Sequence, residues 1–143
     1  MQIKKILSVA LATMLCFTPV MQATATAAEP YSIVAPLYEI ADKAWCDLTI
    51  YSSTANCISS VDNGCAVKII TEQYLQKQGF FWIWSTYDGA EWTKTVNTNV
   101  IAMSNTKTGL SSGKYRLKTI FTLTDKNGKT ETITIYSDEK TVG

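Results

Sequence analysis

Asp88 and Glu91 are the carboxylates nearest to the densest aromatic stretch of the chain, residues 78–92. Two carboxylates that face one cleft are what glycoside hydrolysis requires. Asp88, however, is followed by Gly89, and an Asp-Gly pair is typical of a turn. The chain has no histidine, which excludes Ser-His-Asp and Cys-His catalysis. We therefore predict a protein that is not an enzyme and has no catalytic residues, with a hydrolase as the weakest alternative.

The cysteines beyond the leader are Cys46, Cys57 and Cys65. The segment between Cys57 and Cys65 contains VDNG, whose turn residues favour bringing its two ends together. We therefore predict a Cys57–Cys65 disulfide, which would stabilise the fold by about 2.5 kcal/mol in the chain-entropy model. Cys46 is then free, buried or intermolecular. Without histidine and without C-x-x-C spacing, we predict no metal site and no cofactor.

The first 28 residues have the layout of a secretory signal peptide. Lys4 and Lys5 precede an apolar run over residues 6–20, and the small residues ATATAA follow it. Such a run is too short for a transmembrane anchor, which needs about 20 apolar residues. We expect cleavage after Ala28 or the residue before it. The mature protein is then extracellular and has no transmembrane anchor.

The part beyond the leader has room for one domain with one core, because about 115 of the 143 residues remain. Removing Lys4 and Lys5 lowers the formal net charge from +1 to −1. No basic block occurs, so we expect no nucleic-acid partner. We divide the chain into the signal peptide 1–28, an N-terminal extension or edge strand 29–45, and a β-sandwich domain 46–143.

Alternation of apolar and polar residues dominates the chain from residue 47 onward and predicts strands. In KYRLKTIFTLT, residues 114–124, Tyr115, Leu117 and Phe121 fall on one face of a half-buried strand. DKNG at 125–128 predicts a hairpin loop, with Gly128 suited to positive φ. TETITIYS then predicts the returning strand.

Seven or eight such short strands predict an all-β fold, a single antiparallel β-sandwich of immunoglobulin-like type. LSSGKY at 110–115 is similar to the tyrosine-corner entry to a late strand of that fold, in which the tyrosine hydroxyl bonds to upstream backbone. The alternative is an amphipathic strand that simply begins with Tyr115.

A series of short motifs runs through the whole chain beyond the leader and resembles an uncharacterised family of small secreted proteins from gut clostridia and their relatives, a domain of unknown function. The resemblance implies export and a β-rich fold, and it implies no catalytic residues. Tyr87 stands where the family pattern has a second tryptophan, and Trp84 where a smaller apolar residue is usual. The motifs are Pro36-x-Tyr38-x-x-Ala41, Ala55-x-Cys57, LQK at 75–77, Gly79 followed by Trp82, GKYR at 113–116, and Gly128-x-x-Glu131 with Ser137.

The aromatic stretch FFWIWSTY, residues 80–87, is predicted as a strand that is apolar on both faces. From the alternation and the family resemblance, we assign Trp82 to the core. Two alternatives remain for the other aromatics. Either N-terminal residues cover them, or they form an exposed binding face, for which the candidates are Trp84, Tyr87 and Trp92, re-aimed by a bend or bulge.

Two non-enzymatic functions follow from these patterns. The first is a secreted binding module that contacts an extracellular glycan or protein through its aromatic face. The second is a small secreted antagonist of neighbouring cells, similar to a bacteriocin, which the small size and the expected export allow. A glycan or protein partner therefore stays unspecified at this stage.

Overall fold

The computed structural model describes residues 38–62 and 64–143. The expected signal peptide 1–28 and most of the expected extension 29–45 lie outside these ranges. The described chain is all-β apart from one turn of 3-10 helix, Phe80–Trp82. Its strands are β1 (Lys43–Tyr51), β2 (Thr54–Asp62), β3 (Ala66–Gln78), β4 (Trp84–Val96), β5 (Val100–Lys107), β6 (Gly113–Asp125), β7 (Thr130–Tyr136) and β8 (Lys140–Val142).

The strands form two antiparallel sheets, as the alternation predicted. The smaller sheet has the order β1-β2-β5, and the larger has the order β4-β3-β6-β7, with β8 paired to the start of β6. Strand β1 lies against β6 and β7, and β5 lies against β3 and β4, so the small sheet covers the large one. The prediction of an all-β fold with two antiparallel sheets is confirmed.

The β6–β7 hairpin has the predicted faces and the predicted loop. Tyr115, Leu117 and Phe121 are fully buried together with Thr119, while Arg116, Lys118 and Ile120 alternate with them on the outer face of the large sheet. The loop is closed by a hydrogen bond of 3.1 Å from Gly128 N to the carbonyl oxygen of Asp125. Gly128 has φ 82°, the left-handed region in which glycine costs least.

Apolar side chains between the sheets form two clusters. One lies at the end of the sandwich that includes the β6–β7 loop, and the other lies toward the start of β6. At the start of β6, the Tyr115 hydroxyl donates a hydrogen bond of 2.7 Å to the carbonyl oxygen of Ser111. The first cluster includes Val61, Ile69, Ile101, Phe121 and Ile133, and the second includes Leu48, Cys57, Leu75, Tyr115 and Leu117.

A buried polar group joins the two sheets near their centre. Gln73 on β3 donates from Nε2 to the Ser59 hydroxyl at 2.7 Å, and its Oε1 accepts from Asn105 Nδ2 at 2.7 Å. The Ser59 hydroxyl also forms a 2.7 Å hydrogen bond with the Thr119 hydroxyl. Because a buried amide costs several kcal/mol when it is unpaired, these bonds fix how the two sheets align.

The chain joins the sandwich before residue 46, within the segment 29–45 for which an extension or edge strand is predicted. Strand β1 begins at Lys43. Just upstream, the Glu131 carboxylate on β7 accepts hydrogen bonds from the backbone N–H groups of Glu39, Ile40 and Ala41 at 2.8, 2.9 and 3.2 Å. Ile40 and Ala41 are buried in the first apolar cluster. These residues are therefore part of the domain.

Candidate functional site

The first half of the aromatic stretch forms the turn of the β3–β4 hairpin. The prediction of a strand over residues 80–87 is therefore wrong for residues 80–83 and right for residues 84–87, which begin β4. Strand β3 ends at Gln78 and β4 begins at Trp84, and these two residues pair with each other. Gly79 N donates to the carbonyl oxygen of Ile83 at 2.8 Å, and Ile83 N donates to that of Phe80 at 3.3 Å. The chain therefore reverses over residues 79–83.

Four consecutive large apolar side chains at this turn are exposed to solvent; we call Phe80, Phe81, Trp82 and Ile83 the apolar tip. Their exposed fractions are 92%, 86%, 79% and 64%. The assignment of Trp82 to the core is wrong, because the hairpin extends beyond its neighbours. Strand β3 last pairs with β6 at Lys77, opposite Tyr115, so no strand among residues 38–62 and 64–143 covers the four residues that follow Gly79.

The apolar tip also has an unfavourable backbone. Phe81 and Trp82 have φ of 56° and 59°, in the left-handed region. Positive φ at both central residues, with a hydrogen bond from the fourth residue to the first, is the arrangement of a type I′ turn, in which Asn-Gly is strongly preferred. For residues with a side chain, this conformation costs roughly 1–2 kcal/mol each. The chain therefore places bulky aromatics where small residues would be more stable.

Trp84, the first predicted binding-face residue, lies beside the apolar tip on the outer face of the large sheet. It is half-buried under the Arg116 guanidinium, whose carbon lies 4.4 Å from the Trp84 ring and 4.3 Å from the Tyr136 ring. Arg116 Nε also donates to Gln76 Oε1 at 2.9 Å. The stack Tyr136–Arg116–Trp84 holds the base of the hairpin rigidly against the sheet.

Tyr87 and Trp92, the other two predicted residues, face the opposite way and pack against the second apolar cluster. The Tyr87 ring meets the Tyr115 ring edge-on at 5.6 Å. Trp92 pairs with the buried Gln73 and lines a cleft of about 440 Å³ between β4 and β5. The three predicted residues therefore do not form one binding face.

Ordinary strand alternation turns Tyr87 away from Trp84, whereas a bulge in β4 changes the face of Trp92. Tyr74 pairs with Glu91 and Gln76 pairs with Thr86, so β4 has three more residues than β3 across this interval. Gly89, at φ 65°, lies within it. The predicted Asp88-Gly89 turn is thus a bulge inside a strand. Asp88 and Glu91 are both exposed, and Glu91 lines the cleft between β4 and β5 whereas Asp88 does not, so the two carboxylates do not face one cleft.

Cationic side chains surround the base of the apolar tip. Lys77 Nζ donates to the Ser111 hydroxyl at 2.7 Å and lies 5.7 Å from the Tyr115 ring. Lys114 lies 3.7 Å from Glu139 in an ion pair whose two side chains are about half exposed. Between residues 77 and 87 the sequence has no acidic residue. The tip is therefore apolar at its end and cationic at its base.

The predicted disulfide between Cys57 and Cys65 is not present. Cys57 is fully buried in the middle of β2, and five strand residues lead from it to Asp62. At about 3.3 Å per residue, the strand carries the chain roughly 16 Å from Cys57 to Asp62, away from the buried thiol. A disulfide between Cys57 and Cys65 would need their two Cα atoms about 4.4–6.8 Å apart. Burial raises the pKa of the Cys57 thiol to about 12 and that of the half-buried Cys46 thiol to about 11.

Two features are absent from residues 38–62 and 64–143. No three His, Cys, Asp or Glu side chains lie close enough together to hold a metal ion. No helix in those ranges has the length and apolar character to span a membrane.

Comparisons with known proteins identify no family for this chain. No protein-family model matches it, and no curated protein matches it. Among solved structures, it is similar to the crystal structure of wild-type OgpA from Akkermansia muciniphila, with 13% sequence identity and a TM-score of 0.38. The match covers 74% of this chain and 31% of that one. A similarity this weak carries no argument about function.

Sequence reasoning missed Phe80, Phe81 and Ile83 as candidate contact residues. The signal that marks them is Gly79, which ends the period-two pattern of β3 just before four apolar residues with no alternation. Polar residues then return at Ser85 and Thr86. The turn signal is thus Gly79, since a glycine interrupts a strand pattern, whereas the apolar run itself is equally typical of a buried strand.

Proposed function

We propose that this protein is an exported, non-catalytic binding module with an immunoglobulin-like β-sandwich, and that it contacts its partner through the apolar tip. The observation that carries this proposal is the exposure of four consecutive large apolar side chains at one hairpin turn. Exposed apolar surface concentrated in one place is typical of an interaction site.

The strand order supports the immunoglobulin-like part of the proposal. Numbered as in that fold, β1, β2 and β5 correspond to strands A, B and E, while β4, β3, β6 and β7 correspond to C′, C, F and G. The bond from the Tyr115 hydroxyl to Ser111, four residues upstream at the start of β6, has the form of a tyrosine corner.

The energetics of the free protein support a contact role for the tip. Burying one aromatic side chain of 150–250 Å² is worth about 4 kcal/mol at 25 cal/mol per Å². The tip forgoes this gain at Phe80, Phe81 and Trp82 and adds the cost of two left-handed residues. A partner that covers the tip recovers the burial, whereas a purely structural turn gains nothing from these residues.

Binding to intact bacterial cells and isolated cell envelopes tests the proposed function. Protein purified after expression of the full chain is compared with the double variant Phe81→Ser/Trp82→Ser and with Tyr51→Ser. Tyr51 is a matched control, because it is 85% exposed but stands in the β1–β2 turn on the other sheet. We expect the cell-bound fraction to fall at least tenfold in the tip variant and less than twofold in the control. Equal losses in both, or no loss in the tip variant, would show that the tip is not the contact surface.

A further inference from the structure

We propose that the partner of the apolar tip is the surface of an anionic lipid bilayer, into which Phe80, Phe81, Trp82 and Ile83 insert. This inference rests on the proposed function and specifies its ligand. The tip enters the boundary between head groups and acyl chains, while cationic side chains at its base stay at the level of the lipid phosphates.

The geometry of the tip suits a fluid apolar medium better than a shaped pocket. Four successive side chains are each exposed by 64% or more, so they do not pack on one another into a single flat face. A sugar ring stacks on one flat aromatic face and needs several polar groups beside it, whereas the indole N–H of Trp82 is the single polar side-chain group of residues 80–83. An apolar liquid surrounds all four side chains at once. Tryptophan is also favoured at the boundary between acyl chains and water.

The reach of the hairpin fits the depth of that boundary. From Lys77, the last residue of β3 that pairs with β6, the chain runs four residues to Phe81. Four extended residues span at most about 13 Å. Amphipathic segments that lie in the bilayer interface bury their apolar groups about 5–10 Å deep. The tip therefore reaches the acyl chains while the sandwich itself stays outside the bilayer.

The charges at the base of the tip complement anionic lipids. Three cations lie beside the hairpin: Lys77 is at the end of β3, and Lys114 and Arg116 are at the start of β6. The acidic residues near this end include Asp138, Glu139 and the exposed Asp88 of the β4 bulge. Glu139 pairs only weakly with Lys114, through an exposed contact. An anionic leaflet attracts cations that come within a Debye length of its surface. Lys77 and Arg116 are thus placed to meet phosphates when the tip inserts.

Protein-free vesicles test this inference directly. Purified full-chain protein is mixed with vesicles of phosphatidylcholine and phosphatidylglycerol in equal parts, or of phosphatidylcholine alone, and bound protein is measured by cosedimentation. We expect binding to the anionic vesicles at least tenfold tighter than to the neutral ones. The variant Phe81→Ser/Trp82→Ser should lose at least tenfold. Val100→Ser should bind like the unmodified protein, because Val100 is 50% exposed but begins β5 at the far end of the sandwich.

A second measurement places the indole in the bilayer. Vesicles with acyl chains brominated near the head group should quench a fraction of the tryptophan fluorescence. Trp82→Phe should keep at least half of the vesicle affinity but lose that quenching, because phenylalanine remains apolar. Circular dichroism and thermal unfolding verify that every variant is folded, which we expect because the tip lies outside both apolar clusters.

The outcomes separate this inference from the proposed function. Binding to cells that depends on the tip, without binding to either vesicle, would overturn the bilayer inference and leave a protein or glycan as the partner of the same tip. Vesicle binding that survives in the tip variant would also overturn it. Equal affinity for neutral and anionic vesicles would contradict the role of the cations. If the unmodified protein binds neither cells nor vesicles, the proposed function is overturned as well.

Discussion

The backbone N–H of Ile83 donates a hydrogen bond of 3.3 Å to the carbonyl oxygen of Phe80, and the two residues between them, Phe81 and Trp82, both have positive φ. The turn thus has a geometry for which its residues are poorly suited. Strain of this kind is found at functional sites more than elsewhere. Small residues at positions 81 and 82 would therefore stabilise the turn, whereas the aromatic residues there provide the proposed contact surface.

The first prediction tests whether the left-handed backbone at residues 81 and 82 lowers the stability of the fold. Replacing the pair by the preferred turn residues, Phe81→Asn/Trp82→Gly, should raise the free energy of unfolding by about 1–3 kcal/mol, because it relieves the left-handed strain. The melting temperature should then rise by several degrees. The control Phe81→Ala/Trp82→Ala removes the same rings but keeps a Cβ at both positions. If both variants melt alike, strain at the turn is not the cause.

The sequence predicted those parts of the fold in which one face of a strand is buried and the other is exposed. In β6 and β7, alternation identifies the inward residues, and Asp125 to Gly128 provide the turn chemistry. Local pattern was sufficient there because β6 pairs with β3 along nearly its whole length, so that one of its faces is turned to the small sheet throughout. The confirmed hairpin, with Tyr115, Leu117 and Phe121 buried, lies in this region.

The candidate site could not be predicted in the same way, because its exposure depends on distant elements. The run from Phe80 to Trp84 is apolar at every position, as in a strand covered on both faces. Whether it is covered depends on where β6 begins, more than thirty residues later. Likewise, the glycine of Asp88-Gly89 suits positive φ both in a turn and in a bulge. The pairing of β4 with β3 decides that it is a bulge.

The second prediction concerns the polar group between the sheets. Gln73→Ala should lower the free energy of unfolding by about 2–4 kcal/mol, because it leaves a cavity and removes buried hydrogen bonds from Ser59 and Asn105. Gln76→Ala is the matched control on the opposite face of β3, where the lost bond to Arg116 is part-buried. Its cost should stay below about 1 kcal/mol. Denaturant unfolding measures both, and equal costs would show that the buried amide does not join the sheets.

The third prediction tests the bond at the start of β6. Tyr115→Phe removes only the hydroxyl that donates to Ser111 at 2.7 Å and leaves the fully buried ring in place. The free energy of unfolding should fall by about 1–2 kcal/mol, since the Ser111 carbonyl loses its partner. Tyr87→Phe removes a longer, exposed bond of 3.2 Å to Gly109 and should cost less than about 0.5 kcal/mol. A Tyr115→Phe variant as stable as the unmodified protein would contradict a structural role for this hydroxyl.

The fourth prediction follows from the buried thiol of Cys57, whose pKa is raised by burial to about 12 from an ordinary value of 9.0. Below about pH 9 the thiol is protonated in both the folded and the unfolded chain, so it has no effect on pH dependence. Between about pH 9 and 12 the unfolded chain releases this proton while the folded chain retains it. The unfolded state then binds fewer protons, and stability falls as pH rises, by at most about 1.4 kcal/mol per pH unit.

Lysine and tyrosine side chains titrate in the same interval, so the measurement is the difference between the unmodified protein and Cys57→Ala. At pH 8 the variant should be less stable, because it leaves a small cavity in the second apolar cluster. Denaturant unfolding at pH 8, 9.5 and 10.5 should show this difference shrinking steadily, since only the unmodified protein loses the contribution of the protonated thiol. A difference that stays constant over the three pH values would mean that Cys57 ionises in the folded protein as readily as in the unfolded chain, and that β2 is open to solvent at this point.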